Sequence, residues 1–241
     1  MPTENHPETS IFDDAQDQIS IAILAVSLLA IDHQNLTGID FIARANSLRE
    51  KVFKNIAALF GEMDFMKIHP SVTDTQLLGG LDFSGTIELG KPVYLKGYLQ
   101  STNKLFFLAM AERFDRGLIA RFTEQIDTNQ NHCFLASNEG TEGESLAAAL
   151  SERLAFQISL EGLRFKDWEK VRFNARKIKS AKTKVKRIRI TENIINTYVM
   201  LAAELGITSI RAPLMACYAA RAAAAAGLGR RRSVARVAAR F

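Results

Sequence analysis

The fold is decided by one continuous apolar run, Leu105-Phe106-Phe107-Leu108-Ala109-Met110-Ala111. A short run without polar alternation is typical of a central strand in a parallel sheet, buried on both faces. Similar segments lie on either side of it along the chain: Asp40-Phe41-Ile42-Ala43, His132-Cys133-Phe134-Leu135-Ala136, and the alternating stretch 155–160. Helical segments are expected at about 16–30, 48–60 and 147–154. Strands that alternate with helices predict an α/β sheet with right-handed crossovers.

The composition changes after Gly162. Residues 164–190 hold twelve Lys and Arg against two acidic residues, whereas the rest of the chain is net acidic. Beyond this segment, Thr191 is a plausible N-cap for a helix that ends at Gly206, and a second helix is expected from Pro213 to about Ala226. The sequence therefore predicts a flexible N-terminus (1–15), an α/β core (16–163), a basic linker (164–190) and a small helical lid subdomain (191–241).

Composition also limits the class of protein. Hydrophobic residues make up 47% and charged residues 24%, as in ordinary globular proteins. The apolar run 19–31 is too short to span a bilayer and follows acidic residues, unlike a signal peptide. Cys133 and Cys217 lie in apolar surroundings, which favours buried thiols in a reducing cytoplasm. The four histidines have no ligand-like spacing, so no metal site is predicted, and we expect a cytoplasmic protein.

Three stretches carry a specific resemblance. The first is Leu77-Leu78-Gly79-Gly80-Leu81-Asp82, followed by Gly90-Lys91-Pro92-Val93 and Gly97-Tyr98-Leu99. The second is Leu108-Ala109-Met110-Ala111-Glu112-Arg113, and the third is Leu205-Gly206-Ile207-Thr208-Ser209-Ile210-Arg211-Ala212-Pro213-Leu214, with Ala219-Ala220-Arg221-Ala222 after it. In their order and spacing, from about Ile19 to Arg230, they resemble the D subunit of magnesium chelatase.

That resemblance implies an AAA+-type fold, a parallel sheet flanked by helices and followed by a small all-helical lid. It implies assembly with the ATPase I subunit and, indirectly, with the large porphyrin-binding subunit. The complex inserts Mg²⁺ into protoporphyrin IX in chlorophyll and bacteriochlorophyll biosynthesis. ATP and Mg²⁺ are then cofactors of the assembled complex, and none is expected on this chain alone.

The nucleotide motifs are eroded. A working P-loop needs G-x-x-x-x-G-K-[ST], whose backbone N–H groups, lysine and hydroxyl hold the phosphates and Mg²⁺. The corresponding turn here is Arg44-Ala45-Asn46-Ser47-Leu48-Arg49-Glu50. It has no glycine, with Arg49 near the lysine position and Glu50 at the hydroxyl position. A plain βα turn and weak residual nucleotide binding both remain open, since a helix N-terminus still favours anions.

The second nucleotide motif, Walker B, needs an Asp for the Mg²⁺ shell and a Glu for the attacking water. Ala109 and Met110 occupy those two places. Neither side chain ligates a metal or polarises water. Glu112 comes two residues late, and we interpret it as a loop or helix-start residue. The sequence thus predicts a chain without ATPase activity of its own.

Two arginines remain as candidates for a role in catalysis. By the resemblance, Arg153 matches a finger that reaches the γ-phosphate on a neighbouring subunit, and Arg211 matches the lid arginine called sensor 2. The alternative for each is a surface ion pair, with Glu152 as the obvious partner of Arg153.

Other functions stay open at this stage. A divergent active ATPase is one, and a nucleic-acid adaptor that uses 164–190, with Trp168 and Phe173 interleaved, is another. A charged linker or a surface for an acidic partner is the simpler interpretation of that segment. Full-length D subunits continue into an acidic, proline-rich linker and an integrin-I-type domain with a D-x-S-x-S motif. This sequence ends at Phe241 without them, so we expect a fragment or a truncated relative.

Overall fold

A parallel sheet of five strands forms the centre of the molecule. The computed structural model describes residues 11–128, 131–139, 144–168 and 173–228. The sheet strands are β1 (Gly38–Ile42), β2 (Asp64–Ile68), β5 (Lys104–Leu108), β6 (Cys133–Asn138) and β7 (Phe156–Ser159). Their order is β2-β5-β6-β1-β7, and all neighbouring pairs are parallel. The predicted α/β class is confirmed.

Helices cover both faces of the sheet. On one face, α1 (Ile11–Ile31) and α3 (Ser47–Leu59) pack over β1 and β5, with the Phe53 ring 5.3 Å from Phe41 and 4.4 Å from Phe107. On the other face, Phe122 of α6 (Arg116–Thr128) lies 6.0 Å from the ring of Phe106. Burial on both faces is why these strands are continuously apolar.

A small antiparallel hairpin is inserted between β2 and β5. It consists of α4 (Asp74–Leu78), β3 (Gly79–Leu81), α5 (Phe83–Leu89) and β4 (Tyr94–Lys96), followed by a 3₁₀ turn at Tyr98–Gln100. Gly79 has φ +81°, and a Cβ on Gly97 would collide with the backbone of Leu78 and Gly79. The carboxylate of Asp82 accepts a hydrogen bond from the Gly85 N–H at 3.1 Å and caps α5. The glycine-rich motif in the sequence is therefore the turn chemistry of this insert.

The C-terminal part is helical. After α7 (Ala148–Ser151) and β7 come α8 (Phe165–Trp168), α9 (Ala175–Val185), α10 (Glu192–Glu204) and α11 (Arg211–Ala225). We call α10 and α11 the lid. Helix α11 packs against α9, α1 and α2 (His33–Leu36). The buried ion pair between Arg221 Nη2 and Asp32 Oδ2, 2.6 Å long, ties the lid to the core.

Two expected boundaries were wrong. The central apolar strand ends at Leu108 rather than Ala111, because Met110 has left-handed φ and ψ of 50° and 49° and a 3₁₀ turn follows at Ala111–Arg113. The expected helix at 147–154 is the single turn α7. Thr191 occupies the N-cap of α10, but its side chain makes no capping hydrogen bond. The basic segment 164–190 contains α8 and α9.

Candidate functional site

The turn 44–50, which the sequence resemblance aligns with a Walker A motif and which we call the Walker A turn, lies at the junction between β1 and α3. Asn46 is the N-cap of α3, and its side-chain oxygen accepts a hydrogen bond from the Arg49 N–H at 2.8 Å. Ser47 is the first residue of the helix. In a P-loop the free N–H groups at this helix end would face phosphate. Here a side chain of the turn itself satisfies one of them.

Arg49 forms a mostly buried ion pair with Glu139. Its side chain is only 10% exposed, and Nη1 contacts a carboxylate oxygen of Glu139, the residue that follows β6. Nη2 lies 3.4 Å from Glu50, which is largely exposed. Arg44 points outward and lies 3.7 Å from Glu161. The positive charge that would meet a triphosphate is therefore already matched by carboxylates of the chain.

The Walker B position is equally unsuited to Mg²⁺. The N–H of Ala109 donates to the carbonyl of Ile68 at 2.9 Å, and Ala109 is buried at the end of β5. Met110 turns the chain, and Glu112 lies in the 3₁₀ turn with a fully buried side chain, 3.6 Å from the Nε of Arg113. The residues present at both nucleotide motifs do not fit a bound magnesium nucleotide. Among the described residues, no group of three His, Cys, Asp or Glu could hold a metal ion.

Asp40 is a buried carboxylate that the sequence motifs did not single out. It lies on β1, where its Oδ2 accepts a hydrogen bond from Gln157 Nε2 at 3.0 Å and its Oδ1 has no partner among the described residues. Burial raises the pKa of Asp40; the Gln157 hydrogen bond opposes this shift, and the nearby Glu112 charge adds to it. A lone acid in an apolar parallel strand was the sequence signal for this group.

Asp40 also lines a cavity between the core and the lid. The cavity has a volume of about 220 Å³, and its polar lining includes Gln157, Ser151, Glu152 and Ser209. Met215 of α11 contributes an apolar wall. The lining residues named here bring two carboxylates and no basic group to the cavity, so it is not an anion site.

The two candidate arginines converge on a single carboxylate, that of Asp127 near the end of α6. Arg153 Nε lies 3.0 and 3.1 Å from the two carboxylate oxygens, and its Nη2 lies 2.6 Å from Oδ2. Arg211 Nη2 lies 3.2 Å from Oδ1. The hydrogen bond from Arg153 is the main reason that the pKa of Asp127 is lowered. We call Asp127, Arg153 and Arg211 the arginine cluster.

Arg153 forms an ion pair with Asp127 rather than with Glu152, the partner expected from the sequence. Glu152 lines the cavity, whereas Arg153 reaches across to α6 and donates a further hydrogen bond to the Ala149 carbonyl at 2.6 Å. A bidentate contact with Asp127 matches the planar fork of a guanidinium, and the side chain of the preceding residue does not offer that geometry. No sequence signal pointed to Asp127, because its partners are 26 and 84 residues away along the chain.

The arginine cluster and the Walker A turn lie at opposite edges of the sheet. The N–H of Ala155 donates to the carbonyls of Leu36 and Gly38, which places Arg153 beside the start of β1. The Walker A turn follows the other end of β1. Five residues of strand separate the two edges by roughly 16 Å. The cluster therefore cannot share a phosphate with the Walker A turn of its own chain.

The basic segment uses its apolar side for packing. Ile178, Ala181 and Val185 of α9 are buried against the core, and their lysine and arginine neighbours face outward. Trp168 is fully buried, with the Phe173 ring 6.4 Å away. Base stacking needs exposed aromatic rings. The buried Trp168 therefore removes one feature that favoured a nucleic-acid adaptor.

The chain has relatives among known proteins. No family model matches the chain. It is 38% identical over 202 residues to the magnesium-chelatase 60 kDa subunit of Cereibacter sphaeroides and 32% identical over 198 residues to that of Rhodobacter capsulatus. These alignments cover 83% and 82% of this chain but only 36% and 35% of the relatives, so it spans about a third of their length.

Solved structures show the same fold at low identity. A putative ATPase from Cytophaga hutchinsonii superposes with a TM-score of 0.63 at 16% identity, covering 95% of this chain and 86% of that one. A full-length MCM homologue from Methanopyrus kandleri gives 0.58 at 12%, covering 98% and 61%. The sheet and lid thus have the AAA+ ATPase fold. Among the described residues, no helix is both long and apolar enough to cross a membrane.

Proposed function

Since the chain belongs to the magnesium-chelatase D-subunit family over the third of its relatives' length that it spans, we propose that it is a non-hydrolysing AAA+ module of that enzyme. In this role it assembles with the ATPase I subunit and supports ATP-dependent insertion of Mg²⁺ into protoporphyrin IX, in bacteriochlorophyll or chlorophyll biosynthesis. The large porphyrin-binding subunit is an indirect partner. ATP and Mg²⁺ belong to the assembled complex.

The observation that carries the proposal is the contrast between the two edges of the sheet. At one edge the Arg49 guanidinium is paired with the Glu139 carboxylate, and the side chains of Ala109 and Met110 supply no catalytic group. At the other edge Arg153 and Arg211 both contact Asp127, with side chains 18% and 38% exposed. Such a chain lacks the means to hydrolyse ATP but presents guanidinium groups to a nucleotide on a neighbour, where an arginine stabilises transition-state charge.

Exposed apolar side chains support assembly. On the insert, Phe83 and Ile87 are 73% and 82% exposed, and Tyr94 lies nearby on β4. On the lid, Met200 and Ile210 are likewise exposed. Contiguous exposed apolar surface on a folded chain is typical of protein–protein contacts. These two surfaces are the ones we expect an assembly partner to cover.

Complex formation tests the proposal directly. We expect the chain, mixed with purified I subunit and Mg-ATP, to migrate as a larger species in size-exclusion chromatography with light scattering. Ile87→Asp places a charge in the insert surface and should weaken that complex, whereas the neighbouring change Glu88→Gln should not. A wild-type chain that elutes alone under these conditions contradicts the proposal.

A further inference from the structure

Asp127 is shared unequally by its two arginines. Arg153 donates hydrogen bonds from Nε and Nη2 to the Asp127 carboxylate and from Nη1 to the Ala149 carbonyl. The core of the protein therefore fixes its guanidinium. Arg211 makes one contact to the same carboxylate, at 3.2 Å, and its side chain is 38% exposed. The structure therefore combines one anchored arginine with one that keeps most of its donors directed elsewhere.

The charge balance of the cluster favours an anion. Two guanidinium groups share one carboxylate, whose lowered pKa keeps it ionised at neutral pH, so the cluster keeps one net positive charge. Each guanidinium has five N–H donors, and Asp127 and Ala149 accept only some of them. Planar guanidinium groups with free N–H donors bind phosphate oxygens in a bidentate manner.

We propose that Asp127 is a positioning residue, which holds Arg153 and Arg211 together so that their free N–H groups receive a phosphate oxyanion of a nucleotide bound to a neighbouring molecule. This inference rests on the proposed function, because only a nucleotide on another chain reaches this edge of the sheet. Without the carboxylate, the two like charges repel each other and Arg153 loses the fork that orients it. The oxyanion site then has to be assembled during each turnover.

The test measures ATP hydrolysis by the I subunit with saturating amounts of this chain, wild type or Asp127→Asn. We expect kcat to fall about tenfold while KM for ATP changes less than about twofold, because preorganised donors act on the transition state more than on nucleotide binding. Asp127→Glu keeps the charge but moves it by one methylene, so its kcat should lie between the two.

The matched control is Asp74→Asn. Asp74, on α4, forms an ion pair 2.8 Å long with Arg121, which lies on the same helix as Asp127, α6. That pair is also on the surface. This variant should leave kcat and KM at wild-type values. A wild-type kcat for Asp127→Asn overturns the inference, and so does a raised kcat, which would make Asp127 a competitor of phosphate. If Asp127→Asn does not fold, Asp127→Glu decides alone, and an unchanged kcat for it overturns the inference.

Two parallel arms separate this inference from the proposed function. If Arg153→Ala also leaves hydrolysis unchanged, the action on a neighbouring nucleotide fails, and the role of Asp127 fails with it. If Arg153→Ala lowers kcat but Asp127→Asn does not, only the role of Asp127 is refuted. Complex formation, followed by light scattering, shows in each arm whether assembly itself is intact.

Discussion

Arginine–carboxylate pairs lie at both edges of the sheet, and they differ in exposure. The Arg49–Glu139 pair, at the carboxyl edge, is mostly buried, with side chains 10% and 18% exposed. In the Arg153–Asp127–Arg211 cluster, at the amino edge, Arg153 is 18% exposed, but Asp127 and Arg211 are 36% and 38% exposed, and Arg211 keeps free donors. The same two chemical groups thus close one site and leave the other available.

The Arg49–Glu139 pair and the arginine cluster differ in whether they can still bind a ligand. A buried ion pair stabilises the turn that holds it, and breaking it leaves an uncompensated charge inside the protein. The exposed contact of Arg211 to Asp127 contributes little to stability and leaves N–H donors of Arg211 available. The ion pair at the carboxyl edge therefore serves the structure of a turn, whereas Arg211 at the amino edge keeps donors available for a ligand. The following predictions test this contrast by stability.

Arg49→Ala should have the largest effect. It leaves Glu139 without its ion-pair partner, and we expect the free energy of unfolding to fall by about 2–3 kcal/mol in urea denaturation. Arg44→Ala is the control, because Arg44 makes only an exposed contact of 3.7 Å to Glu161 and should change stability by less than about 0.5 kcal/mol. Equal losses of unfolding free energy for Arg49→Ala and Arg44→Ala would contradict the structural role given to the Arg49–Glu139 pair.

Asp40→Asn should have an intermediate effect of the opposite sign. The raised pKa of Asp40 means that the folded wild type loses stability as pH rises from the unfolded value of 3.8 through the folded value. Asparagine does not ionise, so the variant should be more stable than the wild type at pH 8.

This gain of the Asp40→Asn variant should shrink as pH falls and disappear well below pH 3.8, where Asp40 is protonated in both the folded and the unfolded wild type. Unfolding followed across that pH range measures the effect. Asp64→Asn on the edge strand β2 removes an exposed carboxylate 3.0 Å from Lys104 and should give no such gain. A stability gain that does not depend on pH would contradict the assignment of Asp40 as an unpaired buried acid.

Arg211→Ala should have the smallest effect on stability. Its contact with Asp127 is exposed, and we expect a loss below about 0.5 kcal/mol. Arg221 of the same helix is the matched comparison, since its 2.6 Å pair with Asp32 is buried and Arg221→Ala should cost about 2 kcal/mol. A larger loss for Arg211→Ala than for Arg221→Ala would show that the arginine cluster serves stability rather than binding.

Much of the core was predictable because burial on both faces leaves a direct trace in sequence. The run beginning at Leu105 forms β5, and the turn between β1 and α3 lies where the eroded Walker A motif predicts it. The strand end was not predictable, since it depends on the left-handed backbone of Met110. The insert was also missed, because its short elements follow turn chemistry at Gly79 and Gly97 rather than hydrophobic periodicity.

The partners of the arginines could not be predicted, because they depend on the order of the strands. Glu139 reaches Arg49 only because β6 pairs with β1, with Asn138 opposite Ile42. Asp127 meets Arg153 because α6 ends near the start of β7. The sequence pattern of a single segment reveals neither the pairing of β6 with β1 nor the position of α6 beside β7. The sequence indicated which arginines were candidates, and the fold determined which carboxylates they contact.

ATP hydrolysis by the I subunit in complex with Arg153→Ala chain tests the central claim most directly. The account predicts that the isolated chain releases no phosphate and that the wild-type complex hydrolyses ATP. With Arg153→Ala, a complex of the same size should form, but kcat should be at least about tenfold lower. A complex with Arg153→Ala that turns over at the wild-type rate, or ATP hydrolysis by the isolated chain, would contradict the account.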